Sequence, residues 1–515
     1  GEKITLDFVG DGLMSVSVPS EKLGFIKDIN GNTLKSLISN TGLLKANGGI
    51  IKLSAATAKS LSRSSVNIGS SGVIIARSID DKTGKVIIGS PTNNKIKIAG
   101  KIDVSGHRSL TPSGTIIVRG RSVTHNGKIF ARGGTGGKVN IISKDTLKLD
   151  GSIFAQGTKE KGGSVLFLSE KSINSTPKTV VDVSGANKGG RIRSLAKTTN
   201  ISSGTFKSNS EGGKGGNIDL TGDRVEISNA KIEATGNLMG GKVRIGGDYL
   251  GGQDLTIMDN KNVYGFVSRF GDQPSIQNSK QTIVKADTNI DVSSKKGQGG
   301  TAVVWSDQMT DFEGKINARG AEILALTTVV NADKSTKKSS KEPPILTIKT
   351  KLEPIESTVD PPPKQLIQLS RNQIKSQVDP PPPKIFDKGG GFVEISSKNY
   401  LKRANIAGVS LNGGTLLLDP RDIYVRDSSK SGYTSTSNLN DVDSFNDGNN
   451  ALYQVNSSTI ETALTAGTNV ILQARQDIFV ESDIIATGSS GGDLTLNAGV
   501  DIEISADITT ANGDL

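Results

Sequence analysis

The chain of 515 residues carries 62 Lys and Arg against 51 Asp and Glu, a formal net charge of +11, with 62 glycines, two histidines and no cysteine. Without cysteine there are no disulfides or thiolate metal sites, and His107 and His125, with no second ligand pattern near either, argue against a histidine-based metal site or catalytic triad. Gly, Ser, Thr, Asn and β-branched residues dominate and aromatics make up only 4%, which predicts many short strands joined by turns.

The positive charge is spread over a polar surface, apart from an excess in 331–388, where 11 Lys and Arg face 7 Asp and Glu. No basic block is interleaved with aromatics, so nucleic acid is not the expected partner. The charge reads as a solvated surface, with a weak attraction to acidic glycans as the alternative. No apolar run reaches the ~18 residues that a membrane-spanning helix needs.

In chain order, the sequence opens directly into alternating "KITLDFVGDGLMSVSV" and closes on "ANGDL". Both ends read as internal to a longer chain, with any targeting signal outside it. Residues 33–45 ("TLKSLISNTGLLK") read as a short helical excursion, as do 457–466 ("SSTIETALTA").

Between them runs a repeat with a fixed grammar. Glycine pairs end at Gly137, Gly163, Gly190, Gly216 and Gly241, spaced 26, 27, 26 and 25 residues apart. Two residues on stand Val139, Val165, Ile192, Ile218 and Val243. Four residues on stand Ile141, Phe167, Ser194, Leu220 and Ile245, with Ser194 the one polar member. The pattern returns after Gly49, Gly391, Gly414 and Gly492, and many units repeat an "I-x-A-x-G" string, as in "GSIFAQG" at 151–157 and "AKIEATG" at 230–236. A spacing of two puts these side chains on one face of a strand. One unit cannot bury that face alone, whereas stacked units can, with strands pairing in parallel up the stack. The expected fold is therefore all-β, a right-handed parallel β-helix of about 17–20 rungs and some 80–95 Å at ~4.8 Å per rung.

Residues 331–388 break the grammar. They hold 10 of the 16 prolines, in "STVDPPPK" (357–364) and "SQVDPPPPK" (376–384). Proline runs favour polyproline II and cannot join a β ladder, so this stretch reads as a disordered, Lys-rich insertion. The expected organisation is a shaft over 1–330, the insertion over 331–388, and a shaft over 389–515 that continues beyond it.

Three sites deserve weighing. "GGTLLLDPRDIYV" at 413–425 places Asp419, Arg421 and Asp422 together, as a polysaccharide-acting enzyme on a β-helix would require. Asp-Pro after an apolar strand is equally a turn signal, and the strand-end reading is preferred. "GGKGGNIDL" at 212–220 approaches a calcium-binding nonapeptide, but Asp219 stands where that motif needs a large apolar residue. Asn174, Asn200 and Asn456 each open an Asn-x-Ser/Thr acceptor sequence. No catalytic, cofactor-binding or metal-binding residue is assigned.

Several segments resemble the filamentous-haemagglutinin-like exoproteins of bacterial two-partner secretion, of the high-molecular-weight adhesin type. "EKITLDFVGDGL" at 2–13 is similar to the end of their secretion domain, so that residues 1–18 would close that domain. "ANGGIIKLSAATAKSL" (46–61), "VNIGSSGVIIA" (66–76), "GGTAVVWSDQMTDFEGKINARG" (299–320), "GGFVEISSK" (390–398) and "GGTLLLDPRDI" (413–423) follow in the family's order. The family's amino-terminal Asn-Pro motifs are absent, and the Pro-rich insertion separates segments that the family joins closely. The resemblance implies the non-enzymatic shaft of a secreted adhesin at the bacterial cell surface, associated with the outer membrane. Its partners would be an outer-membrane β-barrel transporter, reached through the missing secretion domain, and a host receptor, glycan or matrix protein of unknown identity. The alternatives are the stalk of a contact-dependent toxin delivery protein and the β-helix enzyme.

Overall fold

Glycine pairs decide where each coil begins. In a computed structural model of the chain, a Cβ on Gly190 would lie 2.1 Å from the Gly163 carbonyl oxygen, and one on Gly189 would lie 2.0 Å from that of Ser208. Only a residue without a side chain lets adjacent coils approach to hydrogen-bonding distance at this corner. The structure describes residues 36–55, 64–89, 95–252, 276–321, 389–427, 429–430, 453–488 and 491–515, and the backbone of two strands, Ile4–Leu6 and Leu13–Val18. The Pro-rich insertion lies outside them.

From each glycine pair the chain makes a coil of three short strands, and successive coils pair in parallel. The result is a parallel β-solenoid of about 13 turns. The count is below the expected 17–20; residues 253–275, 322–388 and 431–452 of the sequence lie outside the described ones. At ~4.8 Å per turn the column is roughly 60 Å long.

The first column shows the register read from the sequence. Val139 pairs with Val165, then Ile192, Ile218 and Val243, and beside them Ile141 pairs through Phe167, Ser194 and Leu220 to Ile245. The ladder reaches back to Ile51 through Ile116 and Val86, and forward through Ala302, Val393, Leu416 and Val470 to Leu494. Thr301–Val304 and Phe392–Ser396 pair directly, so the coils before and after 322–388 belong to one sheet.

The second column runs from Ser36–Asn40 to Tyr400–Ala404 and the third from Leu43–Lys45 to Val409–Ser410. Their inward ladders are as regular: Ile74, Ile102, Ile129, Ile153 and Val181 line up on the third. Almost all of these aliphatic side chains are fully buried in one continuous core. Burying each is worth on the order of 2 kcal/mol, and the sum over neighbouring coils holds the stack together.

Two expectations need correction or completion. Residues 36–40 and 43–45 are strands of the second and third columns, not a helix; their alternate positions bury into the core, and that tertiary demand overrides a helical pattern. The helix expected at 457–466 is present as Ser457–Thr465, capped by Asn456, whose side chain accepts from the Ser458 N–H at 3.0 Å.

Candidate functional site

Asp419 ends the strand Thr415–Asp419 and is followed by Pro420. Both Asp419 and Asp422 are buried. Arg421 donates to Asp422 at 2.8 Å, and the other oxygen of Asp422 accepts from the Asp477 N–H at 3.4 Å. Asp477 in turn accepts from the Asp501 N–H at 3.1 Å, one coil further on. The same device joins Asp483 to Asp507 and Asn469 to Asp493. These carboxylates and amides tie corners of adjacent coils, which is the strand-end role.

The third column ends on a related turn. In Asp103-Val104-Ser105, Asp182-Val183-Ser184 and Asp291-Val292-Ser293 the Asp side chain accepts from the Ser N–H two residues on, at 3.0, 2.9 and 2.9 Å. Such a bond satisfies a backbone donor as the chain leaves the sheet. Burial opposes the charge on Asp103, but Arg77, at 2.8 Å, and the Ser105 N–H more than offset it and hold the carboxyl below its usual range.

Asp219 lies in the strand Asn217–Thr221, facing outward and buried. Arg191 approaches it at 3.0 Å, Arg244 at 2.8 Å and Arg193 at 3.6 Å, while Arg244 also holds Asp248 at 2.6 Å. It is an ion-pair centre. Among the described residues no three His, Asp or Glu side chains gather as a metal-holding group. His107 lies exposed in a turn, whereas His125 is enclosed in the core.

Of the three acceptor sequences, Asn174 and Asn456 are half-buried and Asn200 is fully buried. Asn200 occupies an inward position between Ile173 and Val225. It donates to the Ser194 carbonyl at 2.8 Å and the Thr221 carbonyl at 3.1 Å, and accepts from Ser202 Oγ at 2.9 Å. The polar residue in the first-column repeat, Ser194, is therefore the partner of a polar residue in the second. Sequence reasoning noted each separately; their apposition follows from the coil geometry.

Beyond the Gly-pair of each coil, alternation gives way at the last turns. Thr301–Val304, Phe392–Ser396 and Thr415–Asp419 are buried on both faces. Outside them Tyr249 and Leu250 pack with Val303, Trp305, Phe392, Leu417 and Ile471 in a second apolar cluster. The continuous apolar runs "TAVV" and "TLLL" were the sequence signal for this, since strands covered on both faces lose alternation. Glu394 lies in this layer with no exposure, accepting from the Leu250 N–H at 3.1 Å. Burial, with Asp419 nearby, holds its carboxyl well above the ordinary range.

A cleft of about 380 Å³ opens where the second column is interrupted, between Arg403–Ala407 and Tyr453–Thr459. The strand Tyr453–Asn456 pairs out of sequence order with Ile423–Arg426, and no strand pairing joins it to Tyr400–Ala404 among the described residues. The charged groups in its wall, Arg403 and Glu313, meet each other, and Arg403 is also bound in bidentate fashion by Asp311 at 2.6 Å.

No family model and no curated protein matches the chain. Among solved structures, the crystal structure of the HMW1 secretion domain from Haemophilus influenzae is similar at 18% identity, covering 74% of this chain and 93% of that one, with a TM-score of 0.40. No helix among the described residues is long and apolar enough to cross a membrane.

Proposed function

We propose that the chain is part of the shaft of a large, non-enzymatic adhesin, secreted by a two-partner route and held at the bacterial surface. The observation that carries this reading is the single parallel ladder in which the segments resembling that exoprotein family follow one another in order, from "GGIIKLSA" at 48–55 to "GGTLLLDPRDI" at 413–423. Of the carboxylates that a β-helix enzyme would use, Asp422 ties the corner through Arg421 and the Asp477 N–H, and Asp419 accepts from Gln473 Nε2 at 3.4 Å on the next coil, which supports the non-enzymatic side of the proposal. A β-barrel transporter of the outer membrane and a receptor on the attached surface are the partners that this function requires.

The test is attachment. Beads coated with the purified chain should adhere to host cells or extracellular matrix above beads coated with an unrelated β-solenoid. Equal adherence of the two, together with turnover of a uronate polymer that disappears in Asp422→Asn, would replace the adhesive reading with the enzymatic one.

A further inference from the structure

Lys161, Lys188 and Lys214 occupy the same corner of three successive coils. Lys161 bridges to Lys188, and Lys188 to Lys214, in parallel register, and all three are exposed. Like charges one coil apart, ~4.8 Å, repel each other even across water. The adjoining outer face adds Arg191 and Arg193 beside Asp219, which already holds Arg244. Three guanidinium groups thus share one carboxylate, and the enclosed Nε atoms of Arg191 and Arg193 have no hydrogen-bond partner. Two exposed carboxylates, Glu160 and Glu211, lie in the same turns, and Glu160 is engaged by Thr135. The corner and the face act as one field: burial lowers Lys242 to about 8, and Arg244, Lys188 and, more weakly, Lys214 add to that lowering.

We propose that the corner of Lys161, Lys188 and Lys214, with Arg191 and Arg193 beside it, is a binding strip for a linear acidic polysaccharide lying along the column. The cations recur at the coil spacing in a line, which suits a polymer with carboxylates or sulfates repeating along its length. Guanidinium groups present paired donors to such planar or tetrahedral anions. Nucleic acid is disfavoured because base stacking needs aromatic side chains, and the aromatics of these strands, Phe167 and Phe206, point into the core. The strip would give the adhesive shaft a ligand class; its biological meaning rests on that reading, while its chemistry is tested apart from it.

The experiment measures binding of the full chain to polygalacturonate and dextran sulfate over a range of salt, with uncharged dextran and single-stranded DNA as further arms. The acidic polysaccharides should bind with a steep salt dependence. The variant K161Q/K188Q/K214Q should lower the slope of log affinity against log salt by about two to three and weaken binding about tenfold or more at 50 mM salt. It should also melt at the same temperature or higher, because the like-charge repulsion is gone. The variant K52Q/K97Q/K148Q removes the same charge from exposed positions of other strands and should bind nearly as the parent. No binding to either acidic polymer, an equal loss in both variants, or tighter binding of single-stranded DNA would overturn the proposal. Polymer binding by a chain whose beads fail to attach to cells would retain the strip and remove the adhesin; attachment without polymer binding would do the reverse.

Discussion

His125 makes a sharp test of how the core is built. It stands in the inward ladder between Ile98 and Leu149, fully buried. Neither ring nitrogen has a hydrogen-bond partner. Burial lowers its pKa from 6.5 to about 4, and outweighs the opposing effect of the Ser152 backbone. In the unfolded chain the imidazole takes a proton below about pH 6.5, whereas in the fold it stays neutral until about pH 4. The folded-state value is depressed, so the stability concerned is present above pH 6.5 and is lost as pH falls toward 4. The full shift corresponds to about 3 kcal/mol, most of which is lost between pH 7 and pH 4.5. His125→Leu extends the ladder of Ile98 and Leu149 and leaves no unpaired ring N–H. It should remove this loss and, at pH 7, be as stable as the parent or more so. Urea unfolding of both proteins at pH 7.0 and 4.5 gives the comparison directly. An identical pH dependence in the two would refute the placement of a neutral imidazole in the core.

The other predictions concern packing, polar pairing and the outer layer. Gly190→Ala would force a Cβ to within 2.1 Å of the Gly163 carbonyl and 2.7 Å of the Val183 carbonyl; a loss of about 2–3 kcal/mol is expected by denaturant unfolding. Asn200→Ala strands the Ser194 and Thr221 carbonyls and the Ser202 hydroxyl inside the column; it should cost about 2–4 kcal/mol, and Asn200→Ala with Ser194→Ala should cost less than the sum of the two single changes. Glu394 has the opposite sign from His125: its folded-state pKa is raised, so its stability is present at low pH and lost as pH rises above the ordinary carboxylate range. Glu394→Gln should flatten that loss, and its melting temperature should exceed the parent's at pH 9. Deleting 331–388 should leave the far-UV β signal and melting temperature unchanged, because Thr301–Val304 pairs with Phe392–Ser396 without help from that segment.

The regular part of this fold could be read from the sequence because the same two constraints recur in every coil. Gly190 must lack a side chain and Ile192 must point inward, and Gly216 with Ile218 or Gly241 with Val243 repeat the demand. Repetition turns a weak local signal into a register. Where a coil departs from the rule, that averaging fails. Asn200 alone looks like any surface asparagine, and only its place opposite Ser194 makes it a core residue. Leu37, Ile38, Leu43 and Leu44 fit a helical face as well as two strands, and the pairings Ile38 with Val66 and Leu44 with Ile74 settle the matter at long range. The out-of-sequence strand Tyr453–Asn456 carries no local mark of its partner, Ile423–Arg426. The carboxylates at 419 and 422 were legible as a strand end because Asp-Pro is a local signal; the chain of Asp422, Asp477 and Asp501 was not, since its members lie in different coils.

The same division leaves the outside of the column free to vary. An inward residue is fixed by the coils above and below it, as Ile192 is by Val165 and Ile218, so a change there costs stability before it can alter binding. An outward residue touches its neighbours only along the ladder. Phe130 and Phe154 stack at 5.5 Å with Arg132 over both rings, while three coils on the same ladder position is Glu233, held by Lys231 at 2.5 Å. Apolar, cationic and acidic groups thus succeed one another along one outer ladder without disturbing the aliphatic row beneath. A column built in this way can change its surface coil by coil, and any binding to the proposed acidic polysaccharide should be lost on outward substitutions such as those at Lys161, Lys188 and Lys214, which leave the melting temperature in place.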